Sequence, residues 1–380
     1  VGFVMRVLTV NPGSSSLKLS LVDGGVVTAD EHIAEWDGVT RRELEEFAAA
    51  QPSVDAVSVR IVHGANRAAP TVLDEDVLAD LHGQVPLAPL HQPRSLSLAR
   101  QALDLPGRMP VVGCFDTAFH VGLPDQAATY PLPRSWRDRY GIRRYGFHGL
   151  SLAHATRAAA GVLGEPVGRL RLVCCHLGAG ASVTAVVGGR SADTSMGFTP
   201  LDGVAMATRC GSIDPGIPLY LQREHGFAAS DVEHALNHDS GLAGLSGTGG
   251  DVRDVLALRA EGDPDARLAL DVYLHRLRRE IAAQAVSAGK PDAVVLTGGV
   301  AEHQPELRAE LFGGTLLGVR IDAARNRGAG DRLISEESST PAVLVACREE
   351  KELARLCEEV LTGLAGAGPP VFRHGRKADP

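Results

Sequence analysis

Val7-Leu-Thr-Val-Asn11-Pro-Gly13-Ser-Ser-Ser16-Leu-Lys18-Leu-Ser-Leu-Val22-Asp-Gly-Gly25 is an apolar β-rich run, a turn of small residues, a second β-rich run and a Gly-Gly pair. The same order returns at Leu172-Val-Cys-Cys-His176-Leu-Gly178-Ala179-Gly180-Ala-Ser-Val183-Thr-Ala-Val-Val187-Gly-Gly189. Gly178 stands 165 positions after Gly13. Val- and Thr-rich runs joined by a Gly-containing turn suit β-hairpins. A turn of Gly and Ser leaves backbone N–H groups unshielded, and such a concavity suits phosphate oxygens. Two of them face to face would clamp one polyphosphate from both sides.

The surrounding chain has 380 residues, long enough for two domains with separate cores. Its 44% hydrophobic and 22% charged residues are ordinary for a soluble globular protein. A net charge of −8 speaks against nucleic acid as the main partner, so an anionic substrate needs local Arg or Lys at its site. The six cysteines show no C-x-x-C spacing. Cys174 and Cys175, inside a strand-like run, read as buried free thiols of a reducing cytosol. No stretch approaches the ~20 apolar residues of a membrane span, and the start Val-Gly-Phe-Val-Met-Arg is too short for a signal peptide. The expected setting is the cytoplasm, with no membrane partner.

Strands are expected at 54–62, 110–115, 293–296 and 342–346, and helices at 40–50, 74–82, 95–103, 151–160, 217–224, 229–236, 263–288 and 349–364. Tyr130–Arg144 reads as a Pro- and Arg-rich stretch, Met196–Gly216 as irregular, and the tail after Leu364 as frayed. The order is a hairpin, β, α, β, α, then the same again with larger insertions. This predicts an α/β protein of two related halves with its ligand in the crevice between them.

Several segments carry chemistry, each with a plainer alternative. Asn11–Lys18 is either a tight hairpin or a phosphate turn with Asn11 aimed at phosphate or metal-bound water. Arg60 ends an apolar strand; its fork suits a carboxylate or phosphoryl group, or a structural ion pair. Asp116, after the run ending at Phe115, stands where ligands meet α/β sheets, or caps a helix together with Thr117. His148 lies between Gly146 and Gly149 among aromatics, and Arg209 in a glycine-rich loop. Gly298 and Gly299 follow a strand and would let a flat ring approach the backbone. There is no G-x-x-x-x-G-K-[ST] and no G-x-G-x-x-G, so P-loop and Rossmann readings lose their support. No cluster of His/Cys metal-ligand spacing appears. A hard cation held by phosphate oxygens and carboxylates, with Asp116 and Glu350 as candidates, suits Mg²⁺ better than Zn²⁺.

Taken together these strings resemble the acetate kinase family, within the acetate and sugar kinase, chaperone ATPase and actin superfamily. The resemblance is carried, in collinear order, by Asn11-Pro-Gly-Ser-Ser-Ser-Leu-Lys18, Arg60-Ile-Val-His-Gly64, Leu87-Ala-Pro-Leu-His91 and Phe115-Asp-Thr-Ala-Phe-His120. It continues through Tyr145-Gly-Phe-His-Gly149, Asp193–Gly203, Arg209 with Ile213–Gly216, Asp251–Asp254 and Thr297-Gly-Gly299. It implies two duplicated actin-like (ribonuclease H-like) α/β domains with a central cleft. Their expected bounds are 1–119 with 353–380, and 120–352 for nucleotide binding and dimerisation. It implies reversible, Mg²⁺-dependent transfer of the ATP γ-phosphoryl group to acetate, with Mn²⁺ able to replace Mg²⁺, in a homodimer.

By the same resemblance Arg60, Asp116, His148 and Arg209 are the catalytic set, and Arg60, Val62, Leu90, Phe147 and Pro200 hold acetate. The nucleotide falls to Ser14, Ser16, Lys18, His176, Gly178, Ala179, Gly180, Asp251, Val252, Arg253, Gly298, Gly299, Val300 and His303. The metal falls to Asn11, Glu350 and Asp116. Departures from the family pattern include Ala179 for an Asn, Val59 for a His, Ser212 for an Asp, Leu150 and Leu152 for Thr and His, and His303 for an Asn. They bear on nucleotide affinity more than on the catalytic set. Propionate or butyrate as acceptor, and a non-catalytic actin-like nucleotide module, stay open as alternatives.

Overall fold

The computed structural model describes residues 5–13, 16–34, 36, 42–314 and 316–367. Two six-stranded sheets repeat one plan. The first contains β1 (Arg6–Pro12), β2 (Leu17–Asp23), β3 (Val26–Ile33), β4 (Ala56–Ile61), β5 (Thr71–Val72) and β6 (Val111–Phe115), in the order β3-β2-β1-β4-β6-β5. The second contains β7 (Arg171–Leu177), β8 (Ala181–Val187), β9 (Arg190–Thr194), β10 (Ala293–Thr297), β11 (Arg332–Leu333) and β12 (Ala342–Leu344). Its order from the hairpin edge is β9-β8-β7-β10-β12-β11, the same plan strand for strand.

Strand directions repeat as well. Three antiparallel strands open each sheet, two parallel strands follow, and a two-residue antiparallel strand closes the edge. The register slips between Leu21 and Val22 in β2 and between Ala185 and Val186 in β8, the same position of each strand. Both hairpins turn on a Gly pair with positive φ: 54° and 78° at Gly24 and Gly25, 58° and 80° at Gly188 and Gly189. Two successive left-handed residues suit the right-handed twist of the flanking strands, and Gly adopts them at least cost.

Parallel neighbours need crossovers. In the first half these are the helices Arg42–Ala49 and Gln92–Leu103; in the second, Pro264–Ala288 bridges β9 and β10. Alternation along buried strands then assigns the faces. Leu8 and Val10 face the crossover-helix core with Leu44, Phe47 and Leu98, while Val7 faces the other way. Val294 and Leu296 pack with Leu270, Leu274 and Ile281 of the long helix, while Ala293 and Val295 face the opposite layer.

That opposite layer joins the halves. The helix Gly149–Leu163 follows the first sheet in sequence, yet Leu152, Ala155 and Ala159 pack on the second sheet with Leu172, Cys174 and Val343. The helix Glu349–Ala367 follows the second sheet, yet Leu353, Ala354 and Cys357 pack on the first with Val7, Val22, Ala56 and Val112. Each sheet thus hands its last helix to the other. The two helices meet through an ion pair of Arg157 with Glu352, and Ser58 Oγ of β4 donates to the Leu353 carbonyl at 2.9 Å.

The expected strands and helices are present with shifted ends. The Pro/Arg-rich stretch holds a short helix, Arg134–Tyr140, and Met196–Pro215 is irregular as expected. The helices Gly241–Ser246 and Val252–Ala260 had no clear sequence signal, being short and partly exposed. The tail from residue 368 lies outside the described residues. Leu353 is fully buried in the layer between the sheets. Leu353→Ala is expected to cost about 2–5 kcal/mol, read as a lower urea midpoint, because the cavity abuts both a sheet and a helix.

Candidate active site

The parallel pairing of β4 with β6 sets Ile61 beside Phe115, so Arg60 and Asp116 emerge at one end of the first sheet. Arg60 Nε lies 3.2 and 3.1 Å from the Asp116 oxygens, and a terminal nitrogen donates to Oδ2 at 2.7 Å. The other terminal nitrogen donates to Asn11 Oδ1 at 3.1 Å and to the Pro12 carbonyl at 3.2 Å. The guanidinium is therefore fixed between β1 and β6. Burial opposes its charge, but Asp116 and Glu349 outweigh that and hold it above its ordinary value. Asp116 does not cap a helix. Burial raises its carboxyl to about 6 against the pull of Arg60.

His148 precedes the helix Gly149–Leu163 in a left-handed conformation, φ 60°, uncommon for a residue with a Cβ. Its position is held from both sides. Gly149 N donates to the Asp116 carbonyl at 2.9 Å, where any Cβ on residue 149 would collide. His148 Nδ1 lies 3.0 Å from Ser182 Oγ, and the ring stacks on His176 at 4.2 Å. Burial first, then His176, Arg60 and Arg209, hold His148 well below the usual histidine value, so the ring is neutral. The second hairpin turn closes over it: a Cβ at Gly180 would lie 3.2 Å from His148 Nε2 and 3.4 Å from an Arg209 terminal nitrogen.

Arg209 donates to the Pro200 carbonyl at 2.8 Å, and no ion pair joins it to a carboxylate among the described residues. Burial lowers its value to about 10, which leaves it charged at neutral pH. A half-buried cation without an anion is costly. Such a group is the complement of an anionic ligand.

The acidic residue beside Asn11 is Glu349, not Glu350. Asn11 Nδ2 donates to Glu349 Oε2 at 2.8 Å, and Glu349 lies 3.7 Å from Arg60. Burial would raise its carboxyl, but Arg60, His176, Asn11 and Lys18 overcome this and keep it below its usual range. Glu350, one residue on, turns to Lys18 Nζ at 3.0 Å. A one-residue step on a helix rotates a side chain by about 100°, so the adjacent carboxylates serve different partners. Both oxygens of Asp116, the other expected metal ligand, accept from Arg60, as does Asn11 Oδ1.

Two cavities meet this framework. The larger, about 920 Å³, runs between the two halves. It is lined by Ser16 and Lys18 of the first turn, Gly178 and Ala179 of the second, and Asp251, Val252, Arg253, Gly299, Val300 and His303 beyond. Val252, Leu242, Tyr273 and Val300 form an apolar stretch of this wall, and Arg253 donates to its neighbour Asp251 at 3.0 Å. Three of the expected nucleotide residues support the cleft from behind. Gly180 packs on His148, His176 stacks beneath it, and Gly298 (φ 91°) leaves no room for a side chain against the Leu177 carbonyl. Ser14 lies outside the described residues.

The smaller cavity, about 110 Å³, is lined by Leu90, Pro200, His91 and Arg209. Val62 and Phe147 are buried in the core cluster that includes its wall residue Ala88. His91 belonged to a recognised string but had no assigned role. Burial, then Arg209 and Arg60, lower its value to about 3, so a neutral ring faces the pocket. Glu302 and Cys347, which the sequence assigns no role in the site, also stand on the wall of the cleft; Glu302 accepts from the Cys347 amide at 2.8 Å.

Known proteins share this fold. The model of the acetokinase family matches residues 38–355. An acetate kinase of Deinococcus deserti is 41% identical over 374 residues, covering 96% of this chain and 91% of the relative. Among solved structures, a propionate kinase from Francisella tularensis superposes with a TM-score of 0.85 at 32% identity, covering 93% and 98% of the two chains. The acetate kinase of Porphyromonas gingivalis superposes with a TM-score of 0.83 at 29% identity, covering 94% and 100%. Matched along most of its length by sequence and in both lobes by structure, the chain belongs to the acetokinase family.

Proposed function

We propose that this phosphotransferase moves the γ-phosphoryl group of ATP reversibly to acetate, giving acetyl phosphate and ADP by direct in-line displacement. The observation that carries the reading is Arg209. It is a cation without a carboxylate partner among the described residues. It lines the apolar pocket while touching the turn whose Gly178 and Ala179 line the cleft. An acceptor carboxylate in the pocket and a phosphoryl group at the turn would both reach it.

The chemistry asks little covalent work of the protein. Acetate is ionised at neutral pH, so no general base is needed. An acetate oxygen bonds to the γ-phosphorus as the bond to the β-bridging oxygen breaks, and the burden is positioning and charge neutralisation. Arg60, clamped by Asp116, supplies one fixed cation and Arg209 the second. Asp116 acts as a positioning residue. His148 Nδ1 pairs with Ser182 Oγ, which leaves Nε2 facing Gly180 and free to contact the transferring group. Leu90 and Pro200 receive the methyl group, backed by Val62 and Phe147, while the cleft wall at Val252 and Val300 takes the adenine.

The oxygen donors of Asn11 and Glu349 fit a hard divalent cation. Mg²⁺, or Mn²⁺ in its place, held there with phosphate oxygens would neutralise the β- and γ-phosphate charge. Glu349→Gln is expected to raise the Mg²⁺ concentration for half-maximal rate by tenfold or more, and Glu350→Gln to leave it within about threefold. The opposite ranking in a Mg²⁺ titration of the two variants would reinstate Glu350.

Acetyl hydroxamate formation from acetate, MgATP and hydroxylamine tests the activity. Product should exceed a no-acetate control, and Arg209→Ala should lose on the order of 10³-fold in kcat. No product above the control would favour a nucleotide-binding module without turnover. Propionate is the second reading, favoured by the likeness to a solved propionate kinase. An added methylene is worth only ~1–3 kcal/mol, so kcat/KM for acetate, propionate and butyrate in the same assay ranks the acceptors.

We take the lobes as 1–119 with 353–380, and 120–352. We further propose pairing into a homodimer through the second lobe, where Ile217, Leu219, Tyr220 and Phe227 are exposed apolar side chains close in sequence. Light scattering should give about twice the 39.9 kDa chain mass, and a monomer at micromolar concentration would refute this. Six unpaired cysteines support a reducing cytosol as its setting. No described helix is long and apolar enough to cross a membrane.

A further inference from the structure

Three ligand-type side chains from distant parts of the chain converge beside the cleft. A ring nitrogen of His176, the Cys347 thiol and a Glu349 carboxylate oxygen lie within 4.8 Å of one another. His176 stands near the end of β7, and Cys347 and Glu349 just beyond β12; the parallel order β7-β10-β12 brings these strand ends to one edge. Cys347 lines the cleft, and Glu349 is buried. Ser151 Oγ lies 2.8 Å from His176 Nδ1 and 3.5 Å from Cys347 Sγ, and so tethers both.

The donor chemistry differs from that of the Asn11–Glu349 pair. A thiolate, an imidazole and a carboxylate are a poor set for Mg²⁺ but a suitable one for a softer cation, with three ligands and a fourth position open to the cleft. Bond lengths of about 2.0–2.3 Å around tetrahedral zinc place ligand atoms roughly 3.5 Å apart, so the side chains need close by only about 1 Å.

We propose that His176, Cys347 and Glu349 form a site for a soft divalent cation, zinc by preference, and that its occupancy inhibits the enzyme. On binding, sulfur–metal, nitrogen–metal and oxygen–metal bonds form and the Cys347 proton leaves to solvent, with no change of oxidation state. Glu349 is shared with Asn11, so a zinc ion held there withdraws an oxygen donor from the Mg²⁺–phosphate position. Metal binding is independent of the kinase reading; only competition with MgATP rests on it.

Co²⁺ titration of the metal-free full-length protein is the test. One equivalent should give a thiolate-to-cobalt charge-transfer band that Zn²⁺ removes, while Mg²⁺ does not. Cys347→Ser should abolish the band and weaken Zn²⁺ by at least ~10-fold. As a check free of any variant, Zn²⁺ should slow alkylation of Cys347 in peptide-mapped labelling and leave the half-buried Cys210 unchanged. In turnover assays, micromolar Zn²⁺ should raise the KM for ATP. No thiolate band, equal Zn²⁺ affinity in Cys347→Ser, or unprotected labelling at Cys347 overturns the site. Binding without a change in KM or rate overturns the inhibition.

Discussion

The Arg60 guanidinium, held between Asp116 and Asn11, is the constraint on which the rest of the site depends. Its partners come from β1 and the residue after β6, on either side of its own strand β4, so the register of three neighbouring strands decides whether a cation stands at the mouth of the cleft. Removing one member of a buried pair typically costs about 3–5 kcal/mol because the other is left charged and alone. The same carboxylate residue accepts, through its main-chain oxygen, the amide that starts the helix behind His148. Asp116 thereby couples the positions of a cation in one lobe and an imidazole contributed from the other side.

Duplication explains how the two halves present matching turns to one cleft. Both sheets share strand order, direction, bulge position and glycine-pair turn, and Asn11 and His176 occupy corresponding places at the ends of β1 and β7. The halves have diverged where chemistry differs: Asn11 meets Glu349 and Arg60, whereas His176 stacks on His148. The exchange of last helices makes the lobes interdependent, since each sheet buries its inner face only with a helix supplied by the other half.

The site also concentrates features that oppose stability. His148 adopts a left-handed backbone, Arg209 is half-buried with a carbonyl as its acceptor and no carboxylate among the described residues, and three neutral histidines crowd two arginines. Strain and unpaired charge of this kind persist where the surrounding packing over-determines them, here two turns and the two central helices. An anionic ligand would relieve the repulsion among the cations.

Local sequence by itself determined the hairpins, the duplication and most of the element order, because strand alternation, Gly-Gly turns and helix caps act over a few residues. It also marked Arg60, Asp116, His148 and Arg209, since arginine at a strand end or histidine among glycines is visible without coordinates. Tertiary structure alone decided between Glu349 and Glu350: both are acidic, and only the rotation of the helix Glu349–Ala367 against β1 turns one to Asn11 and the other to Lys18. It alone placed His176 beside Cys347, which no spacing rule could show, because parallel strands far apart in the chain bring their ends together. It alone revealed that each sheet's closing helix packs on the other sheet, for a helix's apolar stripe specifies that it must be buried but not against which partner.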